Sequence, residues 1–404
     1  MSVESTQRRY FDNAATSYPK APAIGPAMHA WEAGIPASPG RGGYDEVHNA
    51  AAAMLACRTA LCQTIGVDDP DRIILTLNCT DALSLAIEGT VRSARRAGRP
   101  MHVVTTRMDH NSVLRPLRDL EADGVSTTYV RVDPETFLVD PDEIAEAIGP
   151  HTSLVAVNHG SNVTGSVQPI AAIADRCRHA GVPLLVDAAQ TLGHRPVDVR
   201  ALGVDLLAFP GHKGLLGPLG TGGLWIRPGM ESTVAPVRLG GTGSRSESDV
   251  QPMELPDRYE SGSHNMPGIV GLGAALEWAI HTPWSHLHER DARCTEAMLE
   301  GLLSIPGLRL FGPRDPANRC GVFAVEIDGR EPAELASVLE SKHGILTRAG
   351  IHCAPYAHAA MGTLDRGGAV RLSVGAFTTR EDIDAACAAL AAEASSRVGR
   401  AVVG

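Results

Sequence analysis

Between about residues 49 and 208 the chain alternates two kinds of segment, and the pattern inside one of them restricts the fold. Residues 72–76, 101–105, 126–132, 153–157, 183–186 and 204–208 read as strands, several of them apolar at successive positions rather than at every second one. A strand that is apolar on both faces has to be covered on both faces, as in a parallel sheet flanked by helices. Segments 49–65, 80–97, 113–123, 141–147 and 170–179 carry the helical patterns that would supply the cover. The fold class expected is α/β, with a mostly parallel sheet.

Past residue 213 the rhythm changes. The glycine-rich residues 217–223 precede a strand at 224–226. Residues 239–263 are polar, rich in glycine and serine, and without periodicity, which suits either a functional loop or a mobile segment. An apolar helix over 268–280 leads into a second unit: a helix from about 286, a strand at 322–327, a helix at 332–343, a strand at 369–374 and a helix at 380–394. Two helices packed on a short antiparallel sheet is the form expected there. The chain thus divides into a large domain, 20–262, and a smaller α+β C-terminal domain, 263–404 together with 1–19. A length of 404 residues is enough for two cores.

Composition removes several function classes. Apolar residues make up 44% and charged residues 20%, as in ordinary globular proteins. The net charge is −10 and there is no long basic run, which argues against nucleic acid as the main partner. Residues 1–9 are polar, without the apolar core of a secretory signal, and no stretch reaches the roughly 18 apolar residues of a membrane span. The eight cysteines are scattered and form no Cys-x-x-Cys pair, which predicts free thiols in a reducing cytoplasm, with no disulfide framework and no metal site.

In open sheets of this kind ligands bind beyond the carboxyl ends of the strands. Phe209-Pro210-Gly211-His212-Lys213-Gly214 puts a lysine just past one apolar strand, and Asp187 ends the strand before it. A lysine and an aspartate at adjacent strand ends are what a pyridoxal phosphate (PLP) enzyme requires: an amine to bond the cofactor, a carboxylate to keep its ring nitrogen protonated. Other strand ends are polar too. Asn78-Cys79-Thr80-Asp81 could present backbone N–H groups and the Thr80 hydroxyl to a phosphate, or be an ordinary helix cap. His110 could stack on a ring or move protons, or cap a helix. Asn162 sits in a polar glycine-bearing loop and could face a ligand, or be only loop. Asp187 and Gln190 are close enough in sequence to reach one ligand. Lys213 needs a desolvated setting to lower its pKa; the plainer alternative is a loop lysine paired with an acid.

Phe209–Lys213 and Val186–Gln190, with Tyr10-Phe11-Asp12-Asn13-Ala14-Ala15-Thr16, resemble the class V aminotransferase group of fold-type-I PLP enzymes. Arg348-Ala349-Gly350-Ile351-His352-Cys353-Ala354 resembles the cysteine motif of group II cysteine desulfurases and selenocysteine lyases. The resemblance runs from about Tyr10 to Ala394. It implies that Lys213 forms the Schiff base and moves protons, Asp187 pairs with the pyridine nitrogen, Gln190 bonds the ring hydroxyl and His110 stacks on the ring. Cys79, Thr80 and His212 would hold the phosphate, Asn162 would lie near ring hydroxyl and substrate carboxylate, and Arg371, helped by Arg348 and Asn13, would bind that carboxylate. Ser263 would reach the phosphate of the neighbouring subunit of a homodimer. Pro210 stands where relatives carry a hydroxyl residue, Asn78-Cys79 where a Gly-Thr pair is common, and Ile351 where many carry a second histidine.

The activity implied is conversion of L-cysteine to L-alanine with a persulfide left on Cys353 for a sulfur-acceptor protein; L-selenocysteine would follow the same steps. His352 and Arg348 would favour the Cys353 thiolate. The alternatives are another PLP activity that does not need Cys353 (selenocysteine lyase, cyst(e)ine C–S lyase, aminotransferase or epimerase), or a non-catalytic scaffold that passes on sulfur or iron.

Overall fold

The computed structural model describes residues 7–401 except Arg41 and Pro100. Most of the polar N-terminal stretch discussed above, residues 1–6, and residues 402–404 of the small domain expected from the sequence, lie outside the described residues.

In chain order the first half holds β1 (Arg9–Tyr10), α1 (Ile24–Ala33), α2 (Asp45–Ile65), β2 (Ile73–Thr76), α3 (Cys79–Arg96), β3 (His102–Thr106), α4 (Asn111–Ala122), β4 (Ser126–Val130), α5 (Pro141–Ala147), β5 (Thr152–Asn158), α6 (Ile170–Ala180), β6 (Leu184–Asp187), α7 (Val199–Leu202), β7 (Leu206–Pro210) and β8 (Gly222–Ile226). The second half holds α8 (Met266–His281), α9 (Trp284–Leu303), β9 (Leu308–Leu310), β10 (Val322–Ile327), α10 (Pro332–His343), β11 (Ile345–Leu346), β12 (Arg348–Gly350), α11 (Pro355–Met361), β13 (Ala369–Ser373) and α12 (Arg380–Ala401).

Helix ends follow local chemistry. Asn78 caps α3 by accepting from the Asp81 N–H, and Arg95 and Arg96 occupy its last turn, where cations oppose the helix dipole favourably. Asp140 caps α5 ahead of Pro141, whose missing N–H costs nothing in a first turn. Gly66, at φ +77°, closes α2 in the left-handed conformation that glycine tolerates best.

Seven strands form the large sheet in the order β2-β8-β7-β6-β5-β3-β4. All run parallel except β8, which is antiparallel to both its neighbours. The mostly parallel α/β fold expected from the sequence is therefore present, with one reversal that the apolar pattern did not reveal: a fully buried strand reads the same in either direction. Val155, Leu184, Leu185, Leu206 and Leu207 at the sheet centre are wholly buried.

The second sheet is antiparallel throughout, in the order β12-β13-β10-β9, and α9, α10 and α12 pack with it around Phe323, Val325, Val370 and Leu372. Strands β9, β11 and β12 are two or three residues long, too short for a sequence pattern to reveal. The N-terminus joins this unit: β1 pairs with β11, and Asp12 bridges to Ser373. Residues 239–263 hold no helix or strand; the Arg245–Glu254 ion pair braces the segment internally, and the Tyr259 hydroxyl ties it back by donating to the Val234 carbonyl at 2.7 Å. Among the described residues no helix is long and apolar enough to cross a membrane.

Candidate active site

The large sheet reverses its winding at β3. From β3 the chain steps outward to β4, then returns to the other side of β3 and proceeds through β5, β6 and β7. Loops diverge at such a switch point and leave a crevice beyond the carboxyl ends. A cavity of about 460 Å³ lies there. Its wall takes Cys79 and Thr80 after β2, His110 after β3, Asn158 from β5, Asp187 from β6 and Lys213 after β7. The second sheet closes it with Arg348, Cys353 and Arg371. The approach of α3 to β8 requires a glycine, because a Cβ on Gly222 would lie 2.7 Å from the carbonyl carbon of Asn78.

Lys213 opens onto the cavity, yet protein surrounds it. Burial pushes its amine below the ordinary lysine range, and the Asp187 carboxylate opposes that shift. A lowered amine pKa is the condition for a lysine to act as nucleophile and proton carrier. Asp187 is buried at the end of β6; its Oδ1 accepts from the Ala189 N–H at 2.9 Å and from the Cys79 thiol at 3.5 Å. Burial, then the Asp187 charge, push the Cys79 thiol well up, so it is a neutral donor. The sequence assigns Cys79 to a phosphate; its thiol is engaged by Asp187, which leaves its backbone N–H, in the first turn of α3, for an anion.

His110 caps a helix and also borders the cavity. Its Nδ1 accepts from the Ser112 N–H at 3.0 Å, capping α4, while the ring lines the cavity. Burial pushes it down to about 4, so it is neutral. His212 pairs through Nδ1 with Thr16 Oγ1 at 3.1 Å and is likewise lowered to about 4, chiefly by burial. Thr80 Oγ1 and Ser112 Oγ lie 2.8 Å apart on the same wall, which also includes Pro210. Gln190 donates one amide hydrogen to the Ala14 carbonyl at 3.1 Å and keeps a second.

At the other end Arg371 is buried, with Nη1 on the Asn162 carbonyl at 3.1 Å and Nη2 on Asp12 Oδ1 at 2.7 Å; its Nε is buried without a partner. Asp12 Oδ2 takes Arg348 through Nε at 3.0 Å and Nη2 at 2.8 Å. One carboxylate thus orients both arginines, a role the sequence reading missed. The signal was an aspartate directly after buried Phe11, but the partners are remote in sequence. Asn162 donates to the His352 carbonyl at 2.6 Å, and its Oδ1 is buried and unpartnered.

Two predicted residues lie elsewhere. Asn13 does not line this cavity: its side chain donates to the Ser373 carbonyl at 3.0 Å and accepts from the Tyr18 N–H at 3.2 Å, holding backbone rather than facing a substrate. Ser263 lines a separate cavity with Leu75, Thr76, Gly220 and Thr221.

Cys353 is the exposed cysteine among eight free thiols. It and His352 both adopt left-handed backbone, φ +55° and +54°, which costs a non-glycine residue roughly 1 kcal/mol or more each. The turn is held by the Asn111 N–H donating to the Cys353 carbonyl at 2.7 Å and by the Asn162 contact to His352. The sequence reading enlists His352 as a cation beside the thiol. It is not one: burial first, then Arg371, push it down to about 3. Arg348, also on the cavity wall, is raised chiefly by its hydrogen bonds to Asp12.

The class-V aminotransferase family matches residues 9–386. A probable cysteine desulfurase of Methanothermobacter thermautotrophicus is 33% identical over 376 residues, covering 93% of this chain and 92% of the relative. A cysteine desulfurase of Yersinia pestis is 32% identical over 387 residues, covering 94% and 92%. Among solved structures, the apo cysteine desulfurase of Thermococcus onnurineus superposes with a TM-score of 0.87 at 28% identity, covering 96% of this chain and 94% of that one. An Escherichia coli cysteine desulfurase in an S-sulfonic acid form superposes with a TM-score of 0.83 at 26% identity, covering 95% and 94%. With the strand-end lysine and aspartate sharing a cavity with an exposed cysteine from the turn after β12, these likenesses make the architecture that of the fold-type-I PLP enzymes, and the chain belongs to the class-V aminotransferase family, among its cysteine desulfurases.

Proposed function

We propose that the chain binds PLP and transfers sulfur from L-cysteine to Cys353, releasing L-alanine. The observation that carries this reading is that Lys213, Asp187 and the exposed Cys353 line one cavity.

The residues present suit that cofactor. A buried amine of lowered pKa meets an aldehyde's requirement, and the Asp187 carboxylate meets that of a pyridinium nitrogen. The N-terminus of α3, Thr80 and His212 suit the phosphate, with Ser112 beside Thr80 able to supply the hydroxyl that Pro210 lacks. The buried, unpartnered Arg371 Nε and Asn162 Oδ1 are polar atoms awaiting ligand groups.

When bound, the cofactor supplies an electron sink that makes the substrate Cα–H removable. Lys213 takes that proton and later returns one. Asp187 would hold the ring nitrogen protonated, and His110, neutral, would supply an uncharged surface for the ring. Arg371, with Arg348, binds the substrate carboxylate, and Asn162 lies between it and the cysteine turn. The Cys353 sulfur forms an S–S bond to the substrate sulfur as the substrate C–S bond breaks. The electron pair of that bond stays with substrate carbon, which takes up a proton and leaves as the methyl group of alanine.

A large unit, 20–262, and a small one, 263–404 with 1–19, are supported by the presence of two sheets, although Met266, Ile269, Leu272 and Leu276 of α8 pack into the core of the large one. A homodimer would bring the partner's copy of the Ser263 loop to the phosphate, since in one chain that loop borders another cavity. Free thiols suit a cytoplasmic enzyme handing sulfur to an acceptor protein. The deciding experiment is a product assay with L-cysteine, L-selenocysteine and L-cystine, with and without a thiol reductant. Alanine from L-cysteine is expected; pyruvate instead would move the chain to the C–S lyases.

A further inference from the structure

From His352 on the cavity wall a chain of polar side chains, which the reaction does not itself use, runs back behind the cysteine turn. His352 Nε2 is 3.2 Å from the Arg348 carbonyl, His352 Nδ1 is 3.2 Å from His358 Nε2, and His358 Nδ1 is 2.7 Å from Thr363 Oγ1. The two rings are stacked, 5.3 Å between centroids at 27°. His358 and Thr363 are wholly buried.

One end of the chain dictates the rest. The Arg348 carbonyl can only accept, so His352 Nε2 must carry a hydrogen. A neutral His352 then has a bare Nδ1, which needs a donor, and the atom facing it is His358 Nε2. A neutral His358 in turn has a bare Nδ1, which takes the Thr363 hydroxyl hydrogen. Both rings stay neutral because burial pushes His352 down to about 3 and His358 down to about 4. A second proton on His352 would set two N–H groups against each other along the 3.2 Å contact, and one on His358 would turn its Nδ1 from acceptor to donor toward Thr363 Oγ1.

We infer that His358 is a positioning residue for Cys353. It fixes His352 as the neutral Nε2–H form, and the clamped His352 holds the left-handed turn that presents the Cys353 sulfur to the substrate. His352 precedes Cys353 directly, and both sit at positive φ, so the turn has no intrinsic preference for this shape. Its backbone anchors, Asn162 on the His352 carbonyl and Asn111 on that of Cys353, fix the peptide; the imidazole fixes the side from which it is approached. The inference rests on the proposed role of Cys353, but its tests need not.

In the holoenzyme, nitrogen-15 spectra of the histidine rings should show both His352 and His358 protonated at Nε2 and bare at Nδ1; a His352 protonated at Nδ1 overturns the proposal. The variant His358→Leu, which removes both polar contacts, should lower kcat with L-cysteine by about tenfold or more, as small misplacements of a reacting group do. KM and cofactor absorbance should stay near the parent values, and the rate of Cys353 alkylation by iodoacetamide, followed on its own peptide, should change. His358→Gln can donate to His352 and accept from Thr363, and should recover kcat and alkylation to within about threefold of the parent. An unchanged His358→Leu, or a His358→Gln that folds and binds cofactor but falls as far as the leucine variant, refutes the positioning role. Should His358→Leu fail to fold, Thr363→Val, which removes only the terminal donor, is expected to show a smaller loss of the same kind, and no loss there refutes it. Full alanine release by Cys353→Ala would defeat the persulfide reading instead, and leaves the spectra and alkylation rates to judge His358 separately.

Discussion

Asp12 Oδ1 and Arg371 Nη2 meet at 2.7 Å across 359 residues of sequence, and the other oxygen of the same carboxylate holds Arg348. The side chain of Arg371 is 4% exposed and that of Arg348 is 53% exposed, so the two ion pairs differ in worth. Asp12→Ala leaves a buried guanidinium without its counter-charge and should cost about 3 kcal/mol or more in urea unfolding. Arg348→Ala loses a solvated pair and should cost less than about 1 kcal/mol. Equal losses in the two variants would contradict the burial difference. Asp12→Asn keeps the shape but not the charge, and should raise KM for L-cysteine more than it lowers kcat.

Lys213→Ala should abolish covalent retention of the cofactor. Treating the parent protein with borohydride and mapping the modified peptide should place the adduct on Lys213; the same adduct on the variant would move the anchor elsewhere.

Cys353→Ala should retain the visible absorbance of bound cofactor, because the cysteine lies in the turn between β12 and α11 and none of the cofactor contacts proposed above involves it. Alanine release from L-cysteine should fall to background. Turnover at the parent rate, measured as alanine per enzyme, would remove the persulfide step.

Five histidines are held neutral by burial: His110, His159, His212 and His358 are lowered to about 4 and His352 to about 3. Their folded values lie below the ordinary histidine value of 6.5, so the unfolded chain binds more protons between about 6.5 and 4. Stability from these groups is complete above about pH 6.5 and is lost as pH falls toward 4, at about 1.4 kcal/mol per pH unit for each proton taken up. Asp109, raised by burial to about 6, and Glu88 and Glu326, also raised by burial, work in the opposite sense, but they are three groups against five. The urea midpoint of the cofactor-free protein should be flat above pH 7 and fall steadily from 6.5 to 4.5. A flat profile down to pH 5 would show that these rings are not buried as described.

Much of this site was legible in the sequence because its evidence is local. The apolar run ending in Asp187, and the one just before Lys213, mark strand ends without knowledge of their neighbours. The parallel pairing of β6 with β7, Asp187 opposite Ala208, then brings the two residues to one crevice. Asn78 as a cap is readable in the same way. Less legible was the chemistry of residues whose roles depend on what they face. Cys79 was assigned to a phosphate and its thiol is engaged by Asp187. His352 was enlisted as a cation, and burial against His358 makes it neutral. Asn13 lies in a motif that marks the family, yet its amide serves the backbone of β13.

By itself, then, the sequence determined the α/β rhythm, the strand ends that carry lysine and aspartate, and the turn that carries Cys353. Hydrophobic period and turn chemistry act over a few residues and leave their mark in order along the chain. Only the tertiary structure decided that β8 runs against its neighbours, that Asp12 orients both Arg371 and Arg348, and that His358 stands behind the cysteine turn. Those relations join segments remote in sequence, and their energies depend on burial and on which donor meets which acceptor, quantities that exist only once the two sheets have closed on each other.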